Sequence, residues 1–499
     1  MSRFYRSIRR VLRYAVGIYF HDIQASGTEH IPEEGPLIFA ANHPASIMDT
    51  VLLGTQTERQ IQYMARSGLF RNPAVKLLFN NVGVIPIFRA EDSDGEQVKK
   101  NSSSFRRAYE TLEDGGCIGI FPEGKNSPSR KIGKLKTGTA RIALETEERN
   151  DFSLGVKIQP VGLNFDDRER FLSSVLIRFG EPIDVREYAE AYCNNQYDCV
   201  RQLTDRIEGD LRDLITHIED DRHHQLVLDL HHLYGHEMRN ELIGQFRDTG
   251  EMRSLRHRLL DRARSTDEPR RNLKKHFDIE QFIADTVEHA QQHSPGDLER
   301  LRLDIRRYRD HLRQVRLRME MLQQGFEPSG RHIEAIKMTS YAVLTGPIAA
   351  WGFINNAIPY LLTRLTVSKQ TDEAKVAFAA FASGLVAFPL FYSVQSWALW
   401  TWTDQSLVMM LVYLFSLPIA GFFFLRWWRQ ILHYRDRILS RTLFRTKQSL
   451  LDHLERERRR IAASFERMKQ DYLDDQTVSI KDYRDNPETT STIEAESAS

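Results

Sequence analysis

Between Met338 and Leu425 the chain carries three long runs without a charged residue: Met338–Thr363, Val376–Thr403 and Ser406–Leu425. Each has at least the roughly 20 residues that a helix needs to cross the hydrocarbon core of a bilayer. A buried helical hairpin in a soluble core is the competing reading, but core helices seldom run uncharged for so long. The runs predict a protein integral to a membrane. Arg313, Arg316, Arg318, Arg331 and Lys337 precede them, and Arg426, Arg429, Arg435 and Arg437 follow. Cationic flanks stay in the cytoplasm, so both ends are expected there, and the number of crossings is then even. Val376–Thr403 and Ser406–Leu425 supply two crossings around Asp404. Met338–Thr363 contains Gly346, Pro347, Asn355, Asn356 and Pro359. It is expected to be a broken element, re-entrant or interfacial, since irregular backbone at membrane depth needs protein or water cover.

At 499 residues the chain is long enough for two to four domains. Its formal net charge of +1 leaves no global field to attract nucleic acid. Three cysteines, Cys117, Cys193 and Cys199, make neither a disulfide framework nor a CxxC metal pair, which fits a reduced, cytosol-facing compartment. Residues 1–20 read as a basic amphipathic helix. Phe4, Ile8, Val11, Leu12, Ala15 and Ile18 recur at helical spacing, with Arg3, Arg6, Arg9, Arg10 and Arg13 on the other face. Such a helix suits an anionic membrane surface as well as its own domain.

Residues 21–185 alternate between short apolar runs and periodic segments. The runs are 36–41, 83–87, 117–121, 157–163 and 175–179; helical periodicity marks 98–112 and 137–148. Strands ending in polar loops with helices between them predict a layered α/β domain. A charged helical region then spans 186–335, membrane segments 336–428, a basic helix 429–474 and a disordered tail 475–499.

Two segments carry candidate chemistry. Asn42-His43-Pro44-Ala45-Ser46-Ile47-Met48-Asp49 places a His at a strand end with a carboxylate shortly beyond. Such a carboxylate can fix the imidazole tautomer and stabilise the cation formed when the other nitrogen takes a proton. Alone, the pair is weak evidence, because most His and Asp residues this close are ordinary loop residues. Phe121-Pro122-Glu123-Gly124-Lys125-Asn126-Ser127, continued by Ser129-Arg130-Lys131 and then Lys134, Lys136 and Gly138, could bind a phosphate through cations and free amides; a solvated basic loop looks the same.

Together with Ile85-Pro86-Ile87-Phe88-Arg89 and the strand Ile158-Gln159-Pro160-Val161-Gly162, these segments resemble the phospholipid/glycerol acyltransferase family. The likeness covers residues 25–185, about a third of the chain, and lies in four ordered blocks. It implies His43 as general base and Asp49 as its partner. Arg89, Glu123, Gly124, Lys125 and Lys136 would form the acceptor's phosphate pocket. The base would deprotonate an acceptor hydroxyl, which attacks the thioester of acyl-CoA or acyl carrier protein. No metal or cofactor is implied; the thioester is a co-substrate. Expected partners are that donor, glycerol-3-phosphate or a lysophospholipid, and membrane lipid, with the catalytic domain facing the cytoplasm.

Two departures stand out. Five residues separate His43 from Asp49 where the family usually has four, and on a regular helix the extra residue would turn Asp49 by about 100°. Similar spacing in fungal-type glycerol-3-phosphate acyltransferases, which also carry C-terminal spans, favours the first acylation step over 1-acylglycerol-3-phosphate as acceptor. Asn126 stands where the family usually has an Arg, which leaves Arg89 as the guanidinium of the matching blocks. A non-catalytic membrane scaffold with the same fold is the reading from another class, but such a scaffold has no chemical need for His43, Asp49, Arg89 and Glu123 together. His223, His224, His231, His232 and His236 are expected to serve a surface or interhelical role rather than to bind a metal.

Overall fold

The apolar runs between residues 21 and 185 become a mixed sheet. In the computed structural model the described residues are 3–67, 70, 73–87, 97–127, 129–168, 170–248, 273–314, 331–368, 373–403, 406–446 and 448–485. They divide into two units, Met1–His217 with Arg271–Lys274 and Ile348–Phe424, and Ile218–Arg270 with Lys275–Pro347 and Leu425–Ser499.

The first unit opens with α1 (Arg3–Tyr19) and β1 (Asp22–Ser26), then β2 (Leu37–Ala41), α2 (Ile47–Gln56), β3 (Ile61–Arg66), α3 (Pro73–Val82) and β4 (Ile85–Ile87). α4 (Gln97–Glu113), β5 (Cys117–Ile120), α5 (Gly138–Glu148), β6 (Lys157–Phe165), β7 (Ser174–Phe179), β8 (Ile183–Asp184), α6 (Ala189–Asn194) and α7 (Gln196–Leu214) follow. The strand order is β1-β7-β6-β2-β5-β3-β4, with β8 beside the start of β6. β2 is central, parallel to both β5 and β6. Its side chains are all buried because both faces are covered. Ile38 and Ala40 point into a core with α4, α5 and α7, while Leu37, Phe39 and Ala41 point into another with α1 and α2. The layered α/β domain expected from the sequence is thus present. β1, β3 and the two-residue β8 were not among the expected strands; the first two lie towards the sheet margins, where apolar signal is thin.

Gly162 explains where this unit ends. A Cβ there would sit 2.3 Å from the Leu214 carbonyl oxygen, so only glycine lets the end of α7 lie against β6. Asn164 fastens the same segment, donating from Nδ2 to Leu214 O at 2.9 Å and accepting from Thr216 N at 2.8 Å. α7 adds Cys199, Leu203, Ile207 and Leu211 to the core, so the unit runs on to His217.

In the second unit α8 (His224–Asp248), α9 (Leu273–His293), α10 (Pro295–Gln314) and a late helix, Gln448–Asp485, share one core that includes Leu230, Ile283, Tyr308 and Phe465. His231 of α8 packs edge-on against His276 of α9 at 4.3 Å, an interhelical contact as expected. Three apolar helices precede the late one: α11 (Arg331–Ser368), α12 (Glu373–Trp402) and α13 (Leu407–Thr446), which makes Gln448–Asp485 α14. α12 and α13 contain stretches long and apolar enough to cross a membrane, Phe378–Trp402 and Leu407–Leu432. Asp404 lies outside the described residues. α14 stays helical to Asp485, so the expected tail is ordered that far, and 486–499 lie outside the described residues.

α11 corrects one expectation. It is a single helix through Pro347, Asn355, Asn356 and Pro359, not a broken element. Pro359 has no N–H to give to the carbonyl four residues back, that of Asn355. Gln395 of α12 supplies the missing donor, with Nε2 3.1 Å from Asn355 O. The Asn side chains are also satisfied. Tyr413 donates to Asn355 Oδ1 at 2.7 Å and Tyr392 to Asn356 Oδ1 at 2.5 Å, while Asn356 Nδ2 donates to Gly352 O and Leu417 O. Polar residues that looked like helix breakers instead bond three helices together.

Gln395→Leu should therefore destabilise the detergent-solubilised protein by about 1–3 kcal/mol, the cost of an orphaned buried carbonyl. Adding Pro359→Ala restores the donor and should recover most of that loss. Denaturation of both variants measures it, and additive effects would contradict the account.

Candidate active site

β2, β5 and β6 run parallel, so their carboxyl ends open on one edge of the sheet. That edge is where ligands meet open α/β sheets, because the loops there leave backbone groups unpaired. Asn42 follows β2 and continues its ladder with a side chain. It accepts from Leu163 N at 2.7 Å and donates to Leu163 O at 3.1 Å. The next residue, His43, is thereby held at the sheet edge.

Four contacts fix His43. Its N–H donates to Glu123 Oε1 at 3.1 Å, and its carbonyl accepts from Ser127 N at 3.0 Å. Its ring stacks on Phe121 with centroids 3.9 Å apart. Nδ1 lies 2.9 Å from Asp49 Oδ2, leaving the side chain 17% exposed. Since the carboxylate accepts, Nδ1 carries the proton and Nε2 offers its lone pair.

Asp49 is completely buried in the first turn of α2. Its Oδ2 also accepts from Ala45 N at 2.8 Å. Burial pushes its carboxyl above the ordinary range, with the His43 hydrogen bond opposing. The extra residue between His43 and Asp49 is absorbed at Ser46, which takes φ 57°, ψ −129° just before α2. Because the backbone reverses there, α2 starts late enough to bring Asp49 back beneath the imidazole.

Glu123 joins two loops. Oε1 takes the His43 amide and Oε2 the Gly133 amide at 3.2 Å. Burial raises its pKa, and the Asp49 charge adds to the rise. Gly124 has φ 68°, and a Cβ there would meet the Lys136 stem at 2.8 Å. The side chains of Lys125 and Lys136 are exposed on the same loop. Arg89 lies outside the described residues, two positions past the end of β4.

Two guanidiniums that the sequence blocks did not include belong to this edge. Arg130 donates from Nη2 to Phe165 O, the last carbonyl of β6, at 3.2 Å. Arg168 stands three residues past β6, and its charge acts on Asp49. Arg130 was legible in the sequence as part of the basic loop after β5; for Arg168 the only sequence signal was position after a strand adjacent to β2.

The strain at Ser46 can be measured. Ser46→Gly should raise the unfolding temperature, by relief of about 1 kcal/mol of backbone strain less glycine's entropy cost, whereas Ser46→Val should lower it. Thermal unfolding of the two variants should move in opposite directions.

The acyltransferase family model matches residues 22–164. Glycerol-3-phosphate O-acyltransferase 1 of Saccharomyces cerevisiae is 32% identical over 136 residues, 27% of this chain and 18% of that protein. The chloroplastic 1-acyl-sn-glycerol-3-phosphate acyltransferase of Arabidopsis thaliana is 24% identical over 151 residues, 30% of this chain and 38% of that one. The crystal structure of the 1-acyl-sn-glycerophosphate acyltransferase from Thermotoga maritima aligns at 19% identity and a TM-score of 0.28, covering 41% of this chain and 81% of that one. The matched stretches span well under two thirds of the length of these two curated relatives. Residues 22–164 are an acyltransferase domain of the phospholipid/glycerol acyltransferase family.

Proposed function

We propose that this chain is a membrane-bound O-acyltransferase of glycerolipid synthesis, moving a fatty acyl group from a thioester to a hydroxyl of glycerol-3-phosphate. The observation that carries the reading is the 2.9 Å bond from His43 to the buried Asp49, with Nε2 left free to take a proton at the sheet edge. Nε2 removes the proton of the acceptor hydroxyl as its oxygen attacks the thioester carbonyl. The tetrahedral intermediate collapses, the C–S bond breaks, and the thiolate takes the proton back from His43. Asp49 stabilises the imidazolium between these steps. No acyl-enzyme forms. Arg89, Arg130, Lys125 and Lys136 supply cations for the acceptor's phosphate, so that the hydroxyl is held beside the base.

α12 and α13 support membrane attachment, and the cationic flanks favour a cytoplasmic catalytic domain. The second reading, 1-acylglycerol-3-phosphate as acceptor, is favoured by the Arabidopsis relative, whose name states that substrate. Purified membranes given labelled acyl-CoA or acyl carrier protein thioester, with each acceptor in turn, decide between them. No transfer to either acceptor from either donor overturns the reading.

Within that assay His43→Ala should lose about 10²–10⁴ in turnover, the usual worth of a positioned base. Asp49→Asn should lose turnover as well, since no carboxylate then holds the ring's tautomer or stabilises the imidazolium. Turnover near that of the wild type would count against the pairing.

Arg89→Lys should raise the acceptor KM strongly and leave the donor KM nearly unchanged, because an ammonium cannot reproduce a two-pronged phosphate contact. The opposite pattern would assign Arg89 to the donor.

A further inference from the structure

Among its described residues the second unit holds two groups in which two histidines and a carboxylate bring one ligand atom each within 4.8 Å of one another. They are His289, His293 and Asp475, and His311, His453 and Glu457. Both tie α14 to another helix, α9 in the first case and α10 in the second. The second group is accounted for by its own contacts. His311 Nδ1 lies 2.9 Å from one Glu457 oxygen, and His453 Nε2 lies 3.5 Å from the other.

The first group is not closed in this way. The His289 side chain is only 12% exposed, and its Nε2 is shielded from solvent without a hydrogen-bond partner, although Asp475 Oδ2 is 3.4 Å away. A buried ring nitrogen left so costs about 1–3 kcal/mol. One turn further along α9, His293 Nδ1 donates to the His289 carbonyl at 3.0 Å. That bond fixes the tautomer and puts the lone pair of His293 on Nε2, the arrangement that orients imidazole ligands in metal sites. The two rings stack with centroids 4.1 Å apart, so they face the same side of the helix.

We infer that His289, His293 and Asp475 form a binding site for a divalent transition metal of the zinc class, which fastens α14 to α9. Zinc–ligand bonds of about 2.0–2.2 Å put neighbouring donors of a tetrahedral shell roughly 3.3–3.5 Å apart. His289 and Asp475 already stand at that separation. Two imidazoles exclude magnesium and calcium, which take oxygen ligands. Three protein ligands leave one position for water. His293 and Asp475 are exposed, so the ion can enter without unfolding the helices. The metal would complete the orphaned nitrogen and add a cross-link between segments almost 200 positions apart in sequence, from His289 to Asp475.

The test uses the full chain in detergent, stripped with a chelator, in a His311→Ala background that dismantles the second group. Titration with Co²⁺, read by its visible absorption, and with Zn²⁺ by competition should give one saturable site of micromolar affinity or better. The unfolding temperature should rise with metal concentration. His293→Ala and Asp475→Asn, both at exposed positions, should each weaken binding at least tenfold and remove the thermal shift. No saturable Co²⁺ spectrum overturns the inference, as does binding that survives both substitutions unchanged.

Discussion

A carboxylate taken wholly out of water must be met by donors, and at Asp49 that requirement organises the site. Oδ2 is shared between the imidazole of His43 and the amide of Ala45. One interaction therefore sets the ring's tautomer, the path of the loop between them and the entry of α2. The other oxygen has no hydrogen-bond partner among the described residues, which leaves His43 as the group that most lowers the cost of the charge. Since the bond to Asp49 sits on Nδ1, the reactive face of the imidazole is the other nitrogen. Glu123 repeats the device one strand away, where a buried carboxylate holds two backbone amides, so the loops after β2 and β5 cannot move apart independently.

This arrangement depends on parallel strands. β2, β5 and β6 deliver their carboxyl ends to the same edge, so residues from positions 43, 123 and 168 gather without any one loop reaching far. Asn42 substitutes a side-chain amide for the backbone ladder at the point where the chain must leave the sheet. Gly162 allows the end of α7 to lie on β6, closing that strand from outside. Each device settles a backbone group that would otherwise be buried without a partner.

The apolar helices answer the same need in another setting. Where Pro359 removes a donor from α11, Gln395 of α12 provides one, and two tyrosines satisfy the asparagine oxygens. Close packing assists them, since a Cβ on Gly352 would lie 2.1 Å from the Ala420 carbonyl oxygen of α13. Outward-facing residues such as Leu344, Ile354, Val386 and Val408 leave an apolar surface suited to lipid.

The central strands, the His43 and Glu123 loops and the long apolar helices could be read directly from the chain, because continuous apolar runs and ordered motifs are local signals. β2 and β6 announce themselves by burial on both faces; β3, further from the centre, does not. The motif blocks named His43, Asp49 and Glu123, but not that Glu123 spends both oxygens on backbone amides. Nor did they mark Arg168, which reaches the edge only because β6 pairs with β2. Asn355, Asn356 and Pro359 looked like breaks in a helix, since their partners lie on α12 and α13, tens of residues further along. What the sequence determined by itself were the elements whose signal is carried by neighbours in the chain. The tertiary structure alone decided how each buried polar group is satisfied, because a hydrogen bond depends on distance in space and leaves no trace in local pattern.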